Sequence, residues 1–326
     1  MAGLERPAFK RVSMTRLKQV PRSYRYLHYD VFTAELFGGN QLAVFLDGRG
    51  LPANAMQAIA KEMNFSETTF ILPPEQRGTD FRLRIFTPGA ELPMAGHPTI
   101  GSAFALARAG VLEPARKDFV FGLGLGPTPV ALTWRGSDLT FASMTQRLPM
   151  FAKPIADSSG AARALGLPQA AVAGAGLPVQ VVSCGLPYLI IPLATRRAVD
   201  NAVGRPDAID TFFRDAGVDA SGVFLFSAET NAHGGDKATV YSRMFAPELG
   251  VPEDPATGSA SGPLGCYLVR HKVVPPAKAG AILNLQGVKM GRPSHVHVSI
   301  GVEKGDITSV RVGGEAVLAG EGTLYI

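Results

Sequence analysis

Apolar and polar positions alternate along most of this chain and fall into a helical period in only a few places. Residues 27–33 and 41–46 read as strands joined at the turn signal Gly38-Gly39-Asn40, and so as a hairpin. Pro52 then opens a helical pattern, with Met56, Ile59, Ala60 and Met63 on one face at spacings of three and four. That pattern ends at Asn64-Phe65-Ser66, and the β-branched run 67–72 is extended, so Glu67 stands where a helix hands over to a strand. Residues 81–86 alternate as a strand, and more strands follow from Phe119, with 130–134 and 139–142 as a second hairpin. After a proline-containing linker at 146–154, residues 161–165 read as helix, 179–193 as two strands broken at Gly185-Leu186-Pro187, and 198–216 as one helix. Residues 223–227 and 238–245 read as strands, and the pattern from Val288 to Leu324 alternates as β. Strands outnumber helices, which predicts an α+β chain and not a doubly wound one.

One motif occurs twice. His97-Pro98-Thr99-Ile100-Gly101-Ser102-Ala103 and Asp254-Pro255-Ala256-Thr257-Gly258-Ser259-Ala260 share a polar residue, proline, two residues and Gly-Ser-Ala, each followed by an apolar segment that reads as helix. Upstream, Arg84-Ile85-Phe86-Thr87-Pro88 matches Arg243-Met244-Phe245-Ala246-Pro247, so the chain is a duplication. Proline costs nothing in a first helical turn, and Gly and Ser there let a ligand approach the free backbone donors. If both helix starts face one cleft, their N–H groups and positive dipole ends converge on it and favour a carboxylate. The repeat sets His97 and Asp254 in matching places. The dipole would keep His97 neutral at pH 7, while Asp254 could cap its helix, touch a ligand, or do both.

Composition adds bounds. A chain of 326 residues, 46% of them hydrophobic, suits two domains, which we place at 27–147 and 148–326, with the last strand returning to the first. The net charge of +5 and pI near 9.3 raise a nucleic-acid partner. Residues 1–26, however, hold seven basic side chains and one acid, so the rest of the chain is about neutral and no nucleic acid is expected. This basic leader reads either as a solvated extension, including a start codon upstream of the true one, or as a targeting presequence. No apolar run reaches the roughly 18 residues that span a bilayer, so no membrane is expected. Cys184 and Cys266 make no disulfide framework, which favours a reducing cytoplasm. Gly122-Leu123-Gly124-Leu125-Gly126 runs into Pro127, not a helix, and lacks a dinucleotide fingerprint. His295 and His297 share a strand face without a third metal ligand, and Gly313-Gly314 reads as a bulge or turn.

Five separated segments then carry a resemblance: Phe32-Thr33 with Gly38-Gly39-Asn40, the run Met63 to Phe70 through Ser66-Glu67-Thr68-Thr69, Arg84 to Pro88, Glu91 to Thr99, and Glu253 to Ala260. Together they resemble the phenazine-biosynthesis, PhzF-like family, from about residue 27 to the end. The resemblance implies a diaminopimelate-epimerase-like fold: two pseudo-symmetric domains, each a β-barrel-like mixed sheet around a central helix, assembled as a homodimer. It also implies an isomerase free of metal and organic cofactor, since the founding members isomerise a dihydro-hydroxyanthranilate. The family's proton-moving glutamate falls on Glu67. Its substrate-holding positions fall on Gly96, His97, Asp254, Gly258 and Ser259, with Asn40 lining the same cleft.

Without the resemblance, Glu67 would pass for an ordinary strand-start glutamate. With it the chemistry is coherent, because a base that takes a proton from carbon beside a conjugated carboxylate needs a pKa raised by burial. Neutral His97 and the helix starts would stabilise the charge that develops. Racemases of this fold use one cysteine from each domain at the helix starts; those places are Ala95 and, approximately, Pro255 here, which disfavours cysteine chemistry. The expected activity is proton relocation on a small unsaturated or cyclic carboxylate. An epimerase or lyase acting on an amino-acid derivative, and a non-catalytic small-molecule or protein-binding member, are the alternatives.

Overall fold

The structure, a computed structural model, describes residues 22–229 and 237–326, so most of the basic leader lies outside the described residues. In chain order the first half forms β1 (Ser23–Val31), β2 (Asn40–Phe45), α1 (Ala53–Met63), β3 (Glu67–Leu72), β4 (Phe81–Phe86), β5 (Glu91–Leu92), α2 (His97–Arg108), β6 (Asp118–Leu123), β7 (Gly126–Arg135), β8 (Asp138–Gln146) and β9 (Met150–Phe151). The second half forms α3 (Ser158–Ala164), α4 (Gln169–Ala173), β10 (Gln180–Ser183), β11 (Pro187–Pro192), α5 (Arg196–Asn201), α6 (Pro206–Ala216), β12 (Val223–Ser227), β13 (Val240–Ala246), β14 (Val251–Asp254), α7 (Gly258–Arg270), β15 (Ile282–Gln286), β16 (Ser294–Glu303), β17 (Asp306–Gly314) and β18 (Ala316–Tyr325).

The pairings show the duplication directly. The sequence β1-β2-β3-β4-β6-β7-β8 runs antiparallel, parallel, antiparallel, parallel, antiparallel, antiparallel. The sequence β10-β11-β12-β13-β15-β16-β17 runs through the same six senses. The two halves join where β8 pairs with β17, and each half lends a strand to the other: β18 pairs with β1, and β9 with β10.

Each half wraps its sheet round one helix. α2 packs against β1, β2, β3 and β8, and α7 against β10, β11, β16 and β17. Both are buried on all sides over most of their length, so neither shows the one-sided stripe of a surface helix. Small residues permit this: a Cβ on Gly101 would lie 2.5 Å from Leu42 Cδ2, and one on Gly265 2.6 Å from Val298 Cγ1. α1 is the ordinary amphipathic case, burying Met56, Ile59 and Ala60 in a separate cluster with Phe45, Phe70 and Phe86.

Five expectations change. The single helix expected at 198–216 is two, α5 and α6, with Pro206 starting the second and Gly204 between them so close to Phe245 that an added Cβ would lie 2.5 Å from its ring. β15 was not expected, and its polar residues Asn284 and Gln286 are both fully buried. Gly313 and Gly314 are regular members of β17, paired with Ser143 and Ala142; a Cβ on Gly314 would lie 2.5 Å from Phe32 Cδ1. β1 starts at Ser23 and not at Leu27, and Val288 lies in a 3-10 turn before β16.

The repeat is also registered differently. Thr68 faces Phe86 and Val223 faces Phe245, which aligns the Arg84 and Arg243 segments as expected. One strand further, Ile85 faces Leu92 and Met244 faces Asp254, so the counterpart of Asp254 is Leu92 and not His97. The same register sets Gly96 against Gly258 and His97 against Ser259. The sequence match is five residues out of step, because Asp254 still belongs to a strand where His97 already belongs to a helix.

Two repeat-related ion pairs brace these short arms. Arg84 grips Glu91 at 2.8 and 2.7 Å, and Arg243 grips Glu253 at 2.7 and 2.9 Å, each guanidinium lying over the phenylalanine two residues on. Arg243 is the more buried and also donates to the carbonyls of Val199, Asp200 and Ala202. Arg243→Met is therefore expected to lower the unfolding free energy by about 3 kcal/mol or more. Arg84→Met should cost under about 1 kcal/mol, which urea titration of both variants would check.

Candidate active site

The starts of α2 and α7 meet head to head at two glycines. A Cβ on Gly96 would lie 2.4 Å from Gly258 Cα, and one on Gly258 3.0 Å from Gly96 Cα, so any side chain would push the two helices apart. Beside this contact lies a cavity lined by Ser66, Glu67, His97, Tyr188, Asp254 and Ser259, among others. The candidate residues Asn40, Glu67, Gly96, His97, Asp254, Gly258 and Ser259 thus all come together here.

Asn40, the first residue of β2, is fully buried and bridges the halves. Its Nδ2 donates to Asp254 Oδ1 at 2.7 Å and to the Ala256 carbonyl at 3.0 Å, and lies 3.2 Å from His97 Nδ1. Glu67 opens β3, with Oε2 3.2 Å from the same His97 nitrogen. Asp254 does not cap α7: its Oδ2 accepts from the Thr257 hydroxyl at 2.5 Å, and the N-cap position belongs to Thr257, whose N–H donates to Gln286 Oε1 at 3.0 Å. Gln286 Nε2 in turn donates to the Asp254 carbonyl at 2.8 Å and lies 3.0 Å from Thr257 Oγ1, closing a buried ring round the loop before α7. Gln146 Nε2 donates to the Gly258 carbonyl at 2.9 Å, and Ser259 Oγ lies 2.7 Å from the Tyr188 hydroxyl.

Burial sets the charge states. It pushes the Glu67 carboxyl well above the usual glutamate range, with the nearby Asp254 charge adding to the effect. Burial also lifts Asp254, to about 6, against the hydrogen bonds of Thr257, Asn40 and Ser66 that favour its charged form. His97 is held down to about 3 by burial, so it is neutral as expected, with desolvation and not the helix dipole as the leading cause.

Sequence reasoning missed Tyr188, Gln286 and Thr257. Tyr188 sits in an apolar strand, and Gln286 in one not recognised. Thr257 lay inside the quoted motif, but the shifted register hid that it matches Ala95. The helix-start pair is therefore Ala95 and Thr257, and not Ala95 and Pro255. Neither is cysteine. Cys184 and Cys266 lie in the core as free thiols with Sγ atoms 3.8 Å apart, and their contact together with burial pushes the Cys266 thiol up. His295 and His297 are exposed on β16, and residues 122–126 turn from β6 into β7. Among the described residues no cluster of three or more His, Cys, Asp or Glu could hold a metal, and no helix is long and apolar enough to cross a membrane.

The family model for phenazine biosynthesis-like protein matches residues 29–322. The chain belongs to that family. An uncharacterized isomerase of Mesorhizobium japonicum is 38% identical, covering 92% of this chain and 98% of its own. The trans-2,3-dihydro-3-hydroxyanthranilate isomerase of Pseudomonas aeruginosa is 35% identical, covering 93% and 100%. The crystal structure of a Bacillus anthracis PhzF-family phenazine biosynthesis protein superposes with a TM-score of 0.80 at 27% identity, over 94% of this chain and all of that one. Isomerase is accordingly the enzyme class of this phenazine biosynthesis-like chain, and its two pseudo-symmetric halves are the fold of the family.

The raised Glu67 pKa makes a stability prediction for this family member. A carboxyl whose pKa is higher folded than unfolded favours the fold below its unfolded pKa, and that contribution is lost as pH rises toward the folded value. Glu67→Gln should therefore raise Tm by a few degrees at pH 8 and leave it within about 1 °C at pH 4, as read by calorimetry.

Proposed function

We propose that this isomerase relocates a proton between carbons of a small unsaturated or cyclic carboxylate, with Glu67 as the single acid and base. The observation that carries the reading is a nearly buried carboxyl 3.2 Å from a neutral imidazole, beside two helix starts in one cavity. Ionised Glu67 takes the proton from a carbon of the substrate, and desolvation makes it a stronger base than a solvated glutamate. Once protonated, it is the stable form in this cavity, so it holds the proton and returns it to a second carbon. Electron density shifts onto the substrate as the proton leaves, and the unpaired N–H groups at the α7 start, with His97, face that charge. Asp254, fixed by Asn40, Thr257 and Gln286, accepts hydrogen bonds from the substrate's polar substituents.

Every step is a proton transfer, so the reaction as proposed needs neither metal nor organic cofactor. The counterpart of Glu67 in the repeat register is Gly222, so base and acid act on one face. A two-base epimerase would need a second group on the opposite face, and Ala95 and Thr257 supply none. The activity named for the Pseudomonas aeruginosa relative supports a ring carboxylate as substrate class. A cytoplasmic homodimer completes the reading.

The test is turnover of trans-2,3-dihydro-3-hydroxyanthranilate and related ring carboxylates, followed by NMR. Glu67→Gln should lower kcat by about 10²–10⁴-fold with KM little changed; a loss smaller than tenfold would remove Glu67 from the role. Because the base must be ionised, kcat/KM should rise with pH through the raised Glu67 pKa. The acid limb of the profile should then stand above the ordinary glutamate value of about 4.3.

A further inference from the structure

Tyr188 has no part in the expectations drawn from sequence, yet it is 2% exposed and lines the cavity with its hydroxyl 2.7 Å from Ser259 Oγ. The repeat register explains its place. On the first half, Leu42 of β2 stands beside Glu67 of β3 across a parallel pairing. On the second half, the matching positions are Tyr188 of β11 and Gly222, whose carbonyl accepts from the Leu189 N–H. Residues in register on paired strands project to the same face. Where the first half offers an apolar side chain and an acid, the second offers a phenol and no side chain at all.

The Tyr188 and Ser259 hydroxyls carry two hydrogens between them, and only one is used in their mutual bond. Neither oxygen makes another protein hydrogen bond among the described residues, so the second hydrogen is left for an acceptor in the cavity. Ser259 stands in the first turn of α7, where the free backbone N–H groups also face an anion. Burial, with the charges of Glu67 and Asp254, pushes the Tyr188 phenol up and keeps it a donor at any working pH.

We propose that Tyr188 is a positioning residue that fixes the rotor of Ser259, so that the pair donates one hydrogen bond to the carboxylate of the substrate. This rests on the carboxylate reading of the cavity but not on proton transfer by Glu67.

The test is a double-mutant cycle read by binding, using anthranilate, a ring carboxylate that cannot undergo the reaction, with the full chain. Y188F and S259A should each weaken anthranilate about tenfold, as expected for a lost hydrogen bond to a charged group. The double variant should be no weaker than either single one, because the two hydroxyls act as one donor. Aniline, the same ring without the carboxylate, should bind all four proteins alike, and Tm should hold in Y188F. A Y188F affinity within twofold of the parent, single losses that multiply in the double variant, or no binding of anthranilate by the parent would each overturn the proposal. E67Q separates the two readings: failure of the proton shuttle would show as retained turnover, with the binding cycle unchanged.

Discussion

The structure depends on a contact between two backbones. Gly96 and Gly258 bring the starts of α2 and α7 so close that a single added carbon on either would meet the backbone of the other helix. That closeness lets two positive helix ends and their free N–H groups serve one small volume, which neither half could supply alone. Charged and polar groups gather at this point because the backbone there already favours an anion. Asn40 then ties the halves across it, bonding to Asp254 from the opposite sheet.

Burial gives the site its chemistry. Glu67, His97 and Asp254 would be unremarkable in water; removed from it, the carboxyls are pushed up and the imidazole down. The cost of desolvating such groups is normally met by hydrogen bonds, and here those bonds are unevenly shared. Asp254 has Asn40, Thr257 and Ser66 to favour its charge, while Glu67 has the imidazole and a like charge nearby. The two carboxyls therefore take different protonation behaviour from one cavity.

Much of this was legible in the sequence, for reasons that differ by element. The β7–β8 hairpin and α1 declared themselves by period, since one of their faces meets solvent; the β1–β2 pair, whose second strand is buried on both faces, was marked by its Gly38-Gly39-Asn40 turn. α2 and α7 have no polar face, and only the recurrence of Pro and Gly-Ser-Ala revealed them. That same recurrence misled about register: a motif of small residues repeats as letters whether or not the copies fold in step, and only strand pairing separates His97 from Asp254 by five positions. Gln286 and Asn284 were unreadable because buried amides look like surface ones until their partners are known. Tyr188 carried no signal, its hydroxyl being meaningful only across the chain from Ser259.

The strand exchange between the halves bears on how the chain comes to be folded. β1 lies early in the sequence, yet one of its two neighbours, β18, is made last, after the whole second half. During synthesis the first sheet thus leaves the ribosome with an open edge, a template for pairing with other chains. Contacts of such long separation close slowly, since the intervening loop must be ordered first. Maturation of this protein is then governed less by either half's own stability than by how long that edge waits for its partner.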